Sequence, residues 1–591
     1  MMWLMPEIVP ARVSPYRSRR SAVQNPTIAE KLNDVADLLE LEGANSFRVR
    51  AYRNAARTIE SLTQSLSDMV ERGEDLEELP NIGKDLAEKL TALVNEGELK
   101  QLQELKQRVP PGVLDVLRID GLGPKKAATL WKELGVTDLD QLQAAAESGD
   151  VASLKGFGKK TAEKILANID RVSDRRFLRV DARNMLEPIL ETLRAADGID
   201  QVSPAGSYRR RRETVGDLDV LVTAKESKVA MDTLADHEIV VETLSRGDTK
   251  MRVRLENDLE LDLRVVPEQS YGAAMHYFTG SKAHNVRVRR RGQERDLKIN
   301  EYGVFRGDER IAGATEEEVF EAVDLRWIPP ELREDRGEFE AAEAGELPDL
   351  IELSDIRGDL HMHTTASDGK NSIREMAEAA KQRGLDYIAI TDHSKRVSMA
   401  NGLDAKRLRK HWKEIDEINA DLDGIEVLKG IECDILEDAT LDLDDEVLSE
   451  GDWVIAVLHY GLKQPSKQIM KRLLAAIENP HVHAIGHPTG RILEKRPEAE
   501  IDFGEFFAAA KEHGVLLEIN AGPERLDLDD VRAKAACEHG IPLVINTDAH
   551  STRGLANMQL GVDQARRSWL TKSDVANTRT LKQFQKLLRK S

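Results

Sequence analysis

The chain has 591 residues, 40% of them hydrophobic, a length that predicts several domains of about 100–200 residues each and cores to match. No apolar run approaches the roughly 18 residues of a membrane span, and two cysteines, Cys433 and Cys537, exclude a disulfide framework, so a reducing, cytoplasmic compartment is expected. The net charge of −21 argues against a uniformly basic nucleic-acid binder, although net charge speaks to solubility and association and not to any one face.

Residues 1–25 open with MMWLMPEIVP, an apolar run broken by Pro6, Glu7 and Pro10. A signal peptide is disfavoured, a transit peptide is the weaker alternative, and a disordered tail is expected. Residues 26–170 read as helical and contain an internal repeat. NIGKDLAEKL at 81–90, GLGPKKAATL at 121–130 and GFGKKTAEKI at 156–165 align without gaps. Each pairs a glycine-bearing turn (Gly83; Gly121 and Gly123; Gly156 and Gly158) with a helix start. Glycine lets another backbone approach closely, and amides at a helix N-terminus can bind a phosphate oxygen. One such turn could simply join two packed helices; three favour nucleic-acid binding through phosphates, without sequence readout. The first repeat departs from the others, with Asn81 in place of the leading glycine.

In AGSYRRRRETVGDLDVL, residues 205–221, Asp217 and Asp219 stand two apart at the head of a strand-like run. Residues two apart share a face, so Leu218, Val220 and Val222 are expected to enter a core and the carboxylates to share the opposite, open face. Two carboxylates this close repel unless a cation lies between them. Gly206-Ser207 opens a turn followed by Arg209 to Arg212, suited to phosphate. A D-x-D pattern alone is more often an exposed strand. A third carboxylate changes the weighing: in LELDLRVV, Leu259, Leu261, Leu263 and Val265 alternate with Glu260, Asp262 and Arg264, and Asp262 would complete a site for two Mg²⁺ (or Mn²⁺) ions and a triphosphate. Arginines are dense again at Arg287–Arg291.

Residues 331–353, PELREDRGEFEAAEAGELPDLIE, have the composition of a solvated linker. Beyond 354, short apolar runs recur, each ending in a metal-ligand residue type. GDLHMH presents His361 and His363 with Asp368 close behind; His393, Glu432, His459 and His487 follow, and Asp548 and His550 end the series. In a β/α barrel the strand C-termini converge on one rim, so these residues would meet in space. Imidazole with carboxylate suits Zn²⁺, Mn²⁺ or Fe²⁺. His411, His481, His483, His513 and His539 read as packing or surface residues.

Two resemblances follow from these motifs. GSYRR…GDLDVL, LDLRVVP, YFTGSKAHN and INEYGVF are similar, in the same order, to the palm and thumb of the family X DNA polymerases. The resemblance implies that Asp217, Asp219 and Asp262 hold two metal ions, Asp262 touching only the ion that activates the primer 3′-hydroxyl. It implies that Ser207, Arg210 and Gly216 hold the incoming triphosphate, that Tyr277, Phe278, Gly280 and Asn285 line the sugar and base, and that Arg289 feels the template strand. Glu260 departs from eukaryotic members, which carry an arginine there near the primer end. The first repeat with FRVRAYRNAARTIESL resembles the family's N-terminal lyase domain, Lys89 falling at its Schiff-base lysine. Such chemistry needs an amine of lowered pKa; a helix-surface lysine near phosphate is the equal alternative. The series H-x-H, D, H, E, H, H, D-x-H resembles the PHP (polymerase and histidinol phosphatase) domain, which implies a distorted barrel with a trinuclear, phosphoester-hydrolysing centre.

The expected architecture is therefore multidomain: an all-α helix-hairpin-helix N-terminal region (26–112 lyase-like, 113–175 fingers-like), an α+β polymerase palm (176–266) and thumb (267–330), a linker (331–353), and a C-terminal distorted β/α (PHP) barrel (354–591). The expected function is template-directed filling of short gaps during DNA repair, with 3′-5′ exonuclease and abasic-site cleavage assigned to the barrel. The partners are gapped or primer–template DNA and deoxynucleoside triphosphates, with no membrane, and a monomer is expected. One rival is a small-molecule phosphatase of the histidinol-phosphate type with a non-polymerising N-terminal half; another is a binding module with idle centres.

Overall fold

The computed structural model describes residues 25–588 apart from residues 61, 63–65, 97, 98, 111, 118, 120, 121, 160, 163, 164 and 167–175. The expected tail at residues 1–24, and Gly121 of the second hairpin, lie outside the described residues. The chain forms two compact units, Met1–Leu114 and Asp115–Ser591.

In the first unit, helices Asn25–Glu42 and Ser46–Glu60 bury residues at three- and four-residue spacing. Leu32, Val35 and Leu39 of one and Val49, Tyr52, Ala56 and Ile59 of the other are at most 6% exposed, the apolar stripe of a packed helix. Helix Lys84–Glu96 adds Leu86, Leu90 and Leu93.

Near the start of the second unit, helix Pro124–Leu134 begins on a proline after Gly123 and stops at Gly135 in the left-handed conformation. A five-stranded sheet follows, built from β1 (Ile199–Pro204), β2 (Leu218–Ala224), β3 (Val240–Arg246), β4 (Lys250–Leu255) and β5 (Glu260–Val265) in the order β1-β2-β5-β4-β3. β2 and β5 run parallel, with Asp219 opposite Asp262. Helices Arg179–Ala195 and Ser227–Ala235 cover one face, over Leu218, Val220, Val222, Leu261 and Leu263. The other face of β2 is open only at its start. Leu221 is buried against Ala205, Ala274 and Met275, because the next domain lies over it.

That next domain holds helices Tyr271–Thr279 and Lys282–Gln293 and a three-stranded antiparallel sheet over residues 298–312. The expectation of a solvated linker over 331–353 fails here. Glu331, Arg333, Glu338 and Phe339 are at most 3% exposed, and Phe339, Ala342 and Leu350 enter the core of this domain. The physical reason is pairing: Arg333 bonds Glu316 at 2.6 Å, Glu334 meets Arg210 and Arg567, and Arg336 meets Asp530 at 2.6 Å.

The C-terminal region is a seven-stranded, wholly parallel sheet, β6 (Gly358–Asp359), β7 (Tyr387–Ile390), β8 (Glu426–Asp434), β9 (Trp453–Val457), β10 (Ala484–Ile485), β11 (Leu516–Asn520) and β12 (Leu543–Asn546), in sequence order. Beyond the edge strands a Met362–Ala549 bridge nearly closes it into a barrel. Alternate residues sort by side. Tyr387, Ala389, Leu428, Trp453 and Val544 fill the interior, plugged by Phe584, while Ile388, Ile390, Val427 and Ile545 pack outward with the surrounding helices.

Candidate active sites

The palm site is assembled by register. Asp219 is partly buried on β2 and Asp262, 6% exposed, lies beside it on β5; Asp217 immediately precedes β2. Burial, then the charges of Asp217 and Asp262, pushes the Asp219 carboxyl up to about 7. A carboxyl pushed up by two neighbouring carboxylates marks a donor set whose repulsion a divalent cation would relieve. Asp262 meets Arg252 Nε at 2.9 Å and Lys250 Nζ at 3.0 Å. Glu260 meets the same Arg252 at 3.4 Å, so a guanidinium from the adjacent strand lies between residues 260 and 262. The turn at Gly206 has φ +61, and a Cβ there would stand 2.4 Å from Asp219 Oδ2.

Arg210 Nη1 donates to the carbonyls of Thr279 (2.6 Å) and Gly280 (2.9 Å), clamping the turn to the thumb. Gly280 is crowded, its hypothetical Cβ 2.2 Å from Asn285 Oδ1, and Asn285 donates to the Tyr277 carbonyl at 2.6 Å. Tyr277 and Phe278 are half-buried and meet edge to face, with Arg264 over the Phe278 ring. Ser207 is half-buried, while Gly216 and Arg289 are exposed. The run Arg209–Arg212 is not the free phosphate cradle its composition suggests. Arg209 pairs with Glu316, Arg210 with Glu334, Arg211 with Glu331 and Asp563, and Arg212 with Glu334.

The hairpins behave alike. Ile82, Leu122 and Phe157 are buried, and Asn81 takes φ +63, matching Gly156 at φ +91; asparagine tolerates this conformation better than most residues. A Cβ on Gly83, Gly123, Gly156 or Gly158 would meet nothing within 4 Å. The protein's own packing thus leaves these positions open to an approaching backbone. Lys89 donates to Asp85 at 2.6 Å and to the Tyr52 hydroxyl at 2.9 Å. Burial draws its pKa down, but Asp85 and Tyr52 outweigh it and the net shift is upward, against the requirement of a neutral amine.

In the barrel, all nine predicted residues gather at the C-terminal ends of the strands. Three groups have ligand atoms within 4.8 Å of one another: His363, Asp368, His393 and His550; His361, His363 and Asp548; and His393, Glu432 and His459. His487 Nε2 joins them 3.0 Å from Glu432 Oε1. His361 Nε2, His363 Nδ1, His393 Nδ1 and Glu432 Oε2 are buried without a properly oriented hydrogen-bond partner, as expected of a cluster whose lone pairs would face bound cations. Burial pulls His393 and His459 down, but Glu432 with Asp368 or Asp434 overrides it and holds them up at about 10 and about 9. Burial and the neighbouring His393 and His550 push His363 down to about 4. Imidazoles and carboxylates thus share protons that a divalent ion would displace. His483 and His539 stay outside the cluster, accepting from or facing backbone groups.

Sequence reasoning missed the residues that orient these side chains. Glu518 lies 2.8 Å from His361 Nδ1 and accepts from the His487 amide at 2.6 Å. Asp434 lies 3.0 Å from His459 Nδ1. Such partners set tautomer and ring orientation. A signal was present: each is a carboxylate inside an apolar run, LLEIN and GIECD.

A polymerase-type palm and thumb followed by a barrel rimmed with metal-ligand residues defines a two-centre nucleic-acid enzyme. Family models agree region by region: a helix-hairpin-helix domain at 23–99, a SAM-like helix-hairpin-helix tandem at 113–170, the DNA polymerase beta palm at 176–291 and thumb at 274–334, and the PHP domain at 359–522. The chain is 42% identical over 570 residues to the DNA polymerase/3′-5′ exonuclease PolX of Bacillus subtilis, covering 95% of this chain and 99% of that protein; it belongs to the PolX family of DNA polymerases. The C-terminal region alone resembles a probable phosphatase of Thermoanaerobacter sp. (31% over 231 residues, 37% of this chain, 89% of that protein) and one of Caldanaerobacter subterraneus (33% over 205 residues, 32% and 75%). Among the described residues no helix is long and apolar enough to cross a membrane.

Proposed function

We propose that this chain fills short gaps in DNA with the palm centre and removes 3′-terminal nucleotides with the barrel centre, in a cytoplasmic repair role. The observation that carries the reading is the presence of two separate donor clusters, one of carboxylates only and one of imidazole with carboxylate. Asp217, Asp219 and Asp262 would hold two Mg²⁺ (or Mn²⁺) ions, and the barrel residues Mn²⁺, Zn²⁺ or Fe²⁺. When bound, such ions neutralise phosphate charge and lower the pKa of the attacking hydroxyl or water. Ser207, Arg210 and Gly216 orient the triphosphate, Tyr277, Phe278, Gly280 and Asn285 border the nucleoside, and Arg289 touches the template strand. Gly83, Gly121, Gly123, Gly156 and Gly158 let duplex phosphates approach the helix-start amides. Lys89, tied to Asp85, fits a phosphate contact better than a Schiff-base amine. A small-molecule phosphatase reading accounts for the C-terminal region alone.

The test separates the centres. Asp217→Asn with Asp219→Asn should lower primer extension on gapped DNA by at least about 10³-fold while 3′-end degradation persists; His361→Ala should do the reverse, at about 10²-fold or more. Loss of both activities in either protein would contradict independent centres.

A further inference from the structure

The barrel cluster is built from carboxylates and imidazoles, and a phosphodiester brought to it also needs hydrogen-bond donors from the protein. Arg525, on the turn that follows β11, places its Nε 3.7 Å from Asp548 Oδ2, with about a fifth of its side chain exposed. Among the described residues it is the one arginine or lysine within ion-pair distance of a cluster carboxylate. Nε is the nitrogen in that contact. Among the described residues neither of its terminal amino groups makes a hydrogen bond, and these are the groups with which arginine grips two oxygens of one phosphate.

The turn that carries Arg525 is held from outside. Leu526 sits at φ +42, a left-handed conformation that costs a non-glycine residue energy unless its surroundings enforce it. Arg491 does so: its Nε donates to the Arg525 carbonyl at 3.0 Å and a terminal amino group donates to the Leu526 carbonyl. The same buried guanidinium is paired with Glu213 at 2.7 Å. Glu213 belongs to the palm, four positions before Asp217. A palm carboxylate therefore anchors the arginine that shapes the rim of the other centre.

We propose that Arg525 receives the phosphate of the phosphodiester cleaved at the barrel centre, and that the Glu213–Arg491 ion pair is its positioning device. The proposal rests on reading the barrel cluster as a phosphodiester-hydrolysing centre. Manganese-loaded full-length protein, with Arg525→Ala, Arg525→Lys and Glu213→Gln, provides the test. Four quantities are read: manganese per chain, binding of inorganic phosphate by calorimetry, hydrolysis of bis(p-nitrophenyl) phosphate, and amide exchange over residues 522–528. Arg525→Ala should keep its manganese, bind phosphate at least about tenfold more weakly and lose about 100-fold in kcat/KM, with partial recovery on adding guanidinium or in Arg525→Lys. Glu213→Gln should keep its manganese, weaken phosphate binding in the same direction and speed exchange over 522–528. Wild-type phosphate affinity in a metal-replete Arg525→Ala protein overturns the proposal, as does unchanged exchange and affinity in Glu213→Gln. Should Arg525→Ala lose metal, failure of both Arg525→Lys and guanidinium to restore hydrolysis counts against it. A wild-type protein that holds manganese yet cleaves no phosphodiester refutes the underlying reading instead, a result distinct from a wild type and an Arg525→Ala protein that cleave equally.

Discussion

Gly206 and Gly123 are the same residue type doing opposite jobs. At Gly206 both the backbone (φ +61) and the space exclude a side chain, since a Cβ would stand 2.4 Å from Asp219 Oδ2. Gly206→Ala should displace that carboxylate, cost about 1–3 kcal/mol of stability and lower primer extension by about 100-fold, with 3′-end degradation retained; undiminished extension would refute this account of the turn. At Gly123 an added methyl meets nothing. Gly123→Ala should therefore change unfolding free energy by no more than about 1 kcal/mol yet weaken binding to duplex DNA, measurable by anisotropy. Both glycines were visible in the sequence as motif positions, but a string of letters does not distinguish a methyl that strikes a neighbour from one that reaches open space.

At the scale of elements, the segment from 331 to 353 shows where composition misleads. Its acids read as solvated, yet Glu338 is fully buried at the start of helix Glu338–Ala344, 2.8 Å from His284 Nδ1. Burial pushes its carboxyl up to about 7, against the pull of the backbone amides of Asp335 and Arg336. A folded-state value above the unfolded one gives a contribution fully present below the unfolded pKa and lost as pH rises through 7. The melting temperature of the wild type should therefore fall between pH 6 and pH 8 by more than that of Glu338→Gln; equal slopes would show that Glu338 is ionised throughout. By contrast the alternation in LELDLRVV was legible, because a period of two is a local property of a half-buried strand. The buried Leu259, Leu261 and Leu263 follow from it directly.

Over the whole second unit, palm, thumb and barrel are joined by buried charge pairs. Glu334 serves Arg210 of the palm and Arg567 of the barrel helix Met558–Arg567, both at 3.1 Å. Burial raises its pKa, but Arg567, Arg210 and Arg212 outweigh it and hold the carboxyl at about 2, so its contribution is present above the ordinary glutamate range and is lost as pH falls toward 2. Glu334→Ala removes one partner from a buried network and leaves arginines uncompensated, a change that costs about 3–5 kcal/mol. Urea unfolding should show a loss of that order, with polymerase and nuclease activities failing together on warming. A loss under about 1 kcal/mol would mean the network is solvated.

By itself the sequence determined the two donor sets and the order of the domains. Most of the barrel candidates follow a short apolar run and the palm carboxylates border or lie in alternating strands; strand formation depends on neighbours two residues away, and parallel strands of one barrel end at one rim, so local pattern reaches as far as Asp217, Asp262, His361 and Asp548. Only the tertiary structure decided which charges meet. Arg210 and Glu334 are 124 residues apart, and Arg491 and Glu213 are 278 apart. An arginine binds any carboxylate that the fold delivers to it, and no local period encodes that delivery. The same holds for Glu518 and Asp434: their residue types are plain in the sequence, but their role exists only because β8 and β11 bring them against His459 and His361.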